Sequence, residues 1–182
     1  MAGVPTVARE FFGLNRPGGK LPSREVQELW FATRRRPWIS LCVVPAAPGM
    51  SVVPLAETLA SVGQLLTPTG IRLIKAEGMN LEQIARIVME MTLPETPASS
   101  VWTSTPQRGG HAVSAAPNGT PLIIAIESVV SNPLALAVTL ACDVVLLCIE
   151  LGKTDLASAR HSVDLLGREH IVGTVLIEPG RR

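Results

Sequence analysis

The chain has 182 residues, with 16 Lys and Arg against 15 Asp and Glu and a formal net charge of +1. That length fits one domain, able to bury roughly 70% of its unfolded surface. The near-neutral charge excludes a general electrostatic drive toward nucleic acid or an anionic membrane. Hydrophobic residues make up 47% and aromatic residues only 3%, with no Tyr, so the core is aliphatic.

Residues 1–21 are rich in Gly and Pro and read as a flexible arm, in which Phe11, Phe12 and Leu14 are placed to dock on a neighbouring surface. Pro22-Ser23 opens a helix to about Arg36, with Val26, Leu29 and Trp30 on one face. Arg34, Arg35 and Arg36 at its end oppose the helix macrodipole favourably. The apolar run Trp38–Val44 reads as a buried strand, and Pro54–Leu66 as an amphipathic helix. Ile71–Lys75 is a second strand. Asn80 then caps a helix over Leu81–Met91, with Gln83 reaching back as in a capping box. Its expected buried stripe is Leu81, Ile84, Ile87, Val88 and Met91.

Leu93–Pro97 reads as a loop, Val101–Thr103 as a short strand, and Pro106–Thr120 as a long polar loop. Strand Leu122–Glu127 precedes Asn132-Pro133, where proline at a first helical position opens Pro133–Ala141. Asp143–Glu150 is a strong strand. Thr154 is the expected cap of a helix over Asp155–Leu166, and Ile171–Ile177 is the last strand before the basic tail 179–182. Strands alternating with helices, and strands that are continuously apolar, predict a three-layer α/β domain over residues 22–178. Its sheet is mostly parallel, with helices on both faces.

The apolar stretch Pro121–Leu151 is interrupted by Glu127, Ser131, Asn132, Pro133 and Asp143, so it reads as two strands flanking a helix and not as a membrane span. Cys42, Cys142 and Cys148 lie in apolar runs and read as buried free thiols. Their spacing suits neither a disulfide framework nor a metal site. An odd count without a signal peptide is the expectation for a cytoplasmic protein.

The strand–turn–helix at Trp38–Ser61 is the setting of a phosphate-binding loop, G-x-x-x-x-G-K-[ST]. There backbone N–H groups surround phosphate, Lys neutralises it, and a hydroxyl holds Mg²⁺. In this chain the turn reads Pro48, Gly49, Met50, Ser51, Val52, Val53, with Val52 at the Lys position and Val53 at the hydroxyl position. Other catalytic constellations are weak. Ser51 lacks the full G-x-S-x-G context of a nucleophile elbow. His111, His161 and His170 stand in unrelated contexts. Glu127 and Glu150 end strands that, if neighbours, would bring them together at the carboxyl edge, but they read more simply as solvated strand ends.

LIIAIESVVSNP (residues 122–133) followed by DVVLLCIELGKT (143–154) resembles the core of bacterial polysaccharide-biosynthesis tyrosine kinases, within the wider MinD/ParA-like ATPases. Pro45–Ala60 lies without gaps on that family's S-x-x-x-GEGKST-x-x-x-NLA segment. The framework matches while the catalytic positions depart. The D-x-D motif falls on Lys75-Ala76-Glu77, and the Asp of the third motif falls on Ala125, with Glu127 two residues on. The family's C-terminal tyrosine cluster has no counterpart.

The resemblance therefore implies a P-loop NTPase-like fold without ATPase or kinase activity and without a nucleotide or metal cofactor. It implies a cytoplasmic adaptor in exopolysaccharide or capsule synthesis and export. Its partner would be a membrane-bound Wzz-like chain-length protein, which would recruit it to the inner membrane face, or an active kinase paralogue. The family's self-association helix carries E-x-x-R-x-x-R, and Glu28, Phe31 and Arg34 occupy those positions as a partial match, so homo- or hetero-oligomers are expected. The alternatives are a MinD/ParA-like positioning or pilus-assembly protein, and an enzyme with an atypical nucleotide site built on Lys75, Glu77 or Lys153.

Overall fold

Five parallel strands form the centre of the computed structural model, which describes residues 7–8, 23–92 and 120–178. A two-residue strand, β1 (Val7–Ala8), precedes helix α1 (Arg24–Thr33), β2 (Ser40–Pro45), α2 (Val53–Leu66), β3 (Arg72–Lys75) and α3 (Leu81–Thr92). After the undescribed segment come β4 (Leu122–Ala125), α4 (Pro133–Ala141), β5 (Val144–Glu150), α5 (Leu156–Leu166) and β6 (Ile171–Ile177). The sheet order is β1-β6-β5-β2-β4-β3, and every pairing is parallel. The expected α/β class is thus the observed one. Val7–Ala8 of the N-terminal arm pairs along the outer edge of β6.

Alternation along each strand feeds two cores. Leu41, Val43, Ile123 and Leu146 pack on one face with Val26, Trp30, Leu55 and Leu59 of α1 and α2. Cys42, Val44, Ile124 and Leu147 pack on the other with Ile84, Ile87, Val138 and Leu166 of α3, α4 and α5. A strand covered on both faces has no polar side to show, which is why these runs are continuously apolar. The three cysteines are free and buried. Hydrogen bonding with Cys42 and then burial push the Cys142 thiol far up, and burial does the same to Cys148, so both stay protonated and unreactive.

The Asn80 amide donates to Gln83 Oε1 and the Gln83 amide to Asn80 Oδ1, at 3.0 Å each, the reciprocal box expected at the start of α3. Leu81, by contrast, is 63% exposed: the spacing puts it on the apolar stripe, but no neighbouring element among the described residues covers it. At α5 the cap is Asp155, whose side chain accepts from Ser158 N at 2.8 Å and is held below the ordinary carboxylate range mainly by the Ser158 hydroxyl. Thr154 is not the cap. Its hydroxyl is taken by the preceding turn, accepting from Glu150 N at 3.1 Å. The expected loops at 93–97 and 106–119, the strand at 101–103 and the docking residues Phe11, Phe12 and Leu14 lie outside the described residues. Among the described residues, no helix is long and apolar enough to cross a membrane.

At the amino edge of the sheet Asp143 ties β5 to β2. Its Oδ2 accepts from the Ile39 and Ser40 amides at 2.8 Å each and from Ser40 Oγ at 3.0 Å. These bonds join segments more than a hundred residues apart in sequence, so Asp143→Ala is expected to lower stability by about 1–2 kcal/mol. Urea unfolding curves of the two proteins check this.

Candidate functional site

β2 is central in the sheet, and the connections on its two sides diverge. α2 lies over one face on the way to β3, while α4 and α5 lie over the other. Ligands of open α/β sheets bind outside the carboxyl ends of the strands at such a switch point. The segment there is 46–52, which leaves β2 and enters α2. Gly49 takes φ +83°, a left-handed turn conformation that favours glycine. Ala46 N bonds the Cys148 carbonyl of β5 at 2.7 Å, and Ser162 Oγ of α5 donates to the Ala46 carbonyl at 2.9 Å, so the start of the loop is fixed from two sides.

α2 begins without a local side-chain cap and without an acidic residue in its first turn. Its N-terminal charge is met instead by Glu77, which follows β3 by two residues. Glu77 Oε1 accepts from Val52 N at 2.8 Å. Ser51 Oγ donates to the same carboxylate, at 3.1 Å to Oε1 and 2.9 Å to Oε2. Val53 N in turn lies 3.4 Å from Ser51 Oγ, a weaker bond that extends the chain of donors into the helix. A carboxylate on the first amides of a helix is favoured by both hydrogen bonding and the macrodipole. Lys75 adds a second grip of opposite sign, pairing with Glu57 of α2. The end of β3 and the connection that follows it therefore hold α2 at two points.

The remaining sequence-picked residues are also engaged within the chain. Val52, at the lysine position, is fully buried in the core beneath the loop, whereas Pro48, Gly49 and Ser51 are exposed and Met50 and Val53 are half-buried. Ala125 is the buried last residue of β4, with its carbonyl accepting from Ala76 N at 2.7 Å. Glu127 accepts from Asn132 Nδ2 at 2.7 Å, and Asn132 Oδ1 caps α4 by accepting from Leu134 N at 2.9 Å. Glu127 thus orients a helix cap. Glu150 pairs with Lys153 at 2.6 Å across the turn containing Gly152. Glu127 and Glu150 do not end neighbouring strands, since β2 lies between β4 and β5. Among the described residues, no group of three or more His, Cys, Asp and Glu could hold a metal ion.

On α1, Glu28 pairs with Arg24 at 2.7 Å. The Arg34 guanidinium lies 4.6 Å from the Trp38 ring centroid and donates to the Trp38 carbonyl at 3.0 Å. Phe31 alone of the three presents a large apolar surface, 60% exposed.

No family model matches the chain, and no curated protein is similar to it. The geometry establishes an all-parallel α/β sheet compatible with a Rossmann or P-loop-like fold, with a loop after β2 that carries a carboxylate. Chemically, that loop offers donors already satisfied by an anion. Sequence reading placed Glu77 in a degenerate acidic motif but missed its contact with the loop. The available signal was a helix start, Val52-Val53-Pro54, with no capping side chain of its own.

Proposed function

We propose that the chain is a non-catalytic relative of nucleotide-binding α/β proteins that works by protein–protein contact. Its suggested place is exopolysaccharide or capsule synthesis and export, as an adaptor to a membrane-bound chain-length protein or to an active kinase paralogue. The observation that carries the loss of chemistry is the loop itself: it holds the Glu77 carboxylate, and the position where lysine would neutralise phosphate is a valine buried in the core. Phosphoryl transfer depends on positioning and on neutralising charge, so a loop that presents an anion to phosphate opposes it. Lys75 and Lys153 are paired with Glu57 and Glu150, which weighs against an atypical site built on them. The polysaccharide assignment rests on the resemblance of residues 45–60 and 122–154 and on the parallel sheet that accompanies it.

Titration of the protein with Mg·ATP, followed by calorimetry, is expected to show no binding; micromolar affinity would overturn the reading. Affinity capture from the native host with membranes retained is expected to recover a polysaccharide-export component. The same parallel sheet would suit a MinD/ParA-like positioning or pilus-assembly protein. Capture of pilus or division proteins in that experiment would select this second reading.

A further inference from the structure

The strands all run one way, and the charges sort along them. At the amino edge Arg34, Arg35 and Arg36 follow α1, Arg168 precedes β6 and Arg72 opens β3, all of them exposed. Arg36 donates to the Glu169 carbonyl, which brings the turn after α1 against the turn before β6. Four arginines thus share one corner of that edge. Among the described residues, the exposed acids of this edge are Asp143, Asp164 and Glu169, and Asp143 is already met by the Ile39 and Ser40 amides. At the carboxyl edge the balance reverses, with Glu77, Glu127, Glu150, Asp155 and Glu178 against Lys75 and Lys153. β5 has seven residues, so the two edges lie roughly 20 Å apart. That exceeds the Debye length of about 8 Å at physiological salt. The near-zero net charge is an average over two opposite surfaces that screening keeps apart.

We infer that the amino edge is a docking surface for an anionic lipid bilayer. Aliphatic side chains accompany its arginines: Leu65 (66% exposed) and Leu66 end α2, Leu140 is in the last turn of α4 and Ile39 precedes β2, all of them exposed. Opposing the helix dipoles would account for arginines after α1 and α5, but it gives exposed leucines no role. α2 and α4 lie on opposite faces of the sheet, so the apolar contacts spread in two dimensions, as a plane of headgroups requires. An extended peptide takes its contacts along one line. At a bilayer the arginines act through charge, and the leucines through shallow burial at the acyl boundary. A patch of this size binds weakly and reversibly, and it orients the domain with the loop after β2 facing away from the lipid. The inference goes beyond the adaptor role and does not depend on it, because lipid alone is the ligand.

The test is sedimentation of the whole chain with protein-free vesicles of two parts phosphatidylcholine to one part phosphatidylglycerol, against vesicles of phosphatidylcholine alone. The wild type is expected to bind the anionic vesicles about tenfold more tightly or better, with the difference lost at high salt. Arg35→Gln combined with Arg168→Gln is expected to weaken that binding about 25-fold, at roughly fivefold for each arginine. Leu65→Gln is expected to weaken it several-fold without changing its salt dependence. Arg160→Gln removes an exposed cation from the middle of α5 and is expected to leave binding unchanged. No preference for anionic vesicles, or an equal loss in Arg160→Gln, would overturn the inference. So would self-association abolished by the double arginine variant, or binding to polyglutamate, if either occurred without vesicle binding. The first would assign the edge to a second copy of the chain and the second to an acidic peptide. Capture of an export component from the native host bears on the adaptor role alone.

Discussion

Gly63→Val is expected to lower stability by about 3 kcal/mol or more. Gly63 lies inside the last turn of α2, and glycine within a helix costs about 1 kcal/mol relative to alanine. It is kept there by what lies against it. A Cβ at this position would stand 2.5 Å from Ile71 Cγ1 and 2.5 Å from Trp30 Cη2. Neither neighbour can yield cheaply. Trp30 is buried and meets the Trp38 ring edge-on at 5.8 Å, and Trp38 is held by Nε1 donating to the Thr33 carbonyl at 3.0 Å. Arg34 covers the same ring. Even Gly63→Ala is expected to lose about 1–2 kcal/mol, since the clash outweighs the gain in helix propensity. Guanidinium unfolding followed by tryptophan emission measures both. An alanine variant as stable as the wild type would show that α1 and α2 can separate without cost.

Val52→Lys restores the residue that a phosphate-binding loop would have, and is expected to damage the protein without reviving it. Val52 is fully buried and packed within the core formed by α1, α2 and the sheet. A lysine there has two courses. Its ammonium stays in the core without a partner, or it swings out to Glu77 and leaves behind the volume that valine filled. The expected loss is roughly 2–4 kcal/mol by either course. An ammonium paired with Glu77 is already neutralised, so Mg·ATP binding is expected to remain absent. Thermal unfolding and an ATP titration on the same preparation give the two readouts. Wild-type stability together with nucleotide binding would mean that the loop is one substitution from function.

Much of the fold was legible because burial on both faces leaves a simple record. The apolar runs at 40–45, 122–125 and 144–150 gave strands, and Asn132-Pro133 and Asn80 with Gln83 marked two helix starts by local chemistry alone. The errors share a cause. Leu81 satisfied the helical spacing, but spacing fixes the direction of a side chain and not whether anything lies above it. At Thr154-Asp155 two adjacent residues were each competent caps, and the choice was made by the Glu150 turn, which engages the Thr154 hydroxyl. Glu127 and Glu150 would meet only if their strands were neighbours, whereas β2 takes the place between them.

The sequence by itself determined the class of fold, the positions of most elements and the absence of lysine and tyrosine where the resembled family has them, since these follow from composition and local pattern. Only the tertiary structure decided what the altered loop does with its remaining donors. Glu77 reaches them because β3 ends on the edge of the sheet where α2 begins, a placement set by strand order and crossover packing. Local pattern does not encode that order, because every strand in a doubly covered parallel sheet presents the same apolar face to its neighbours.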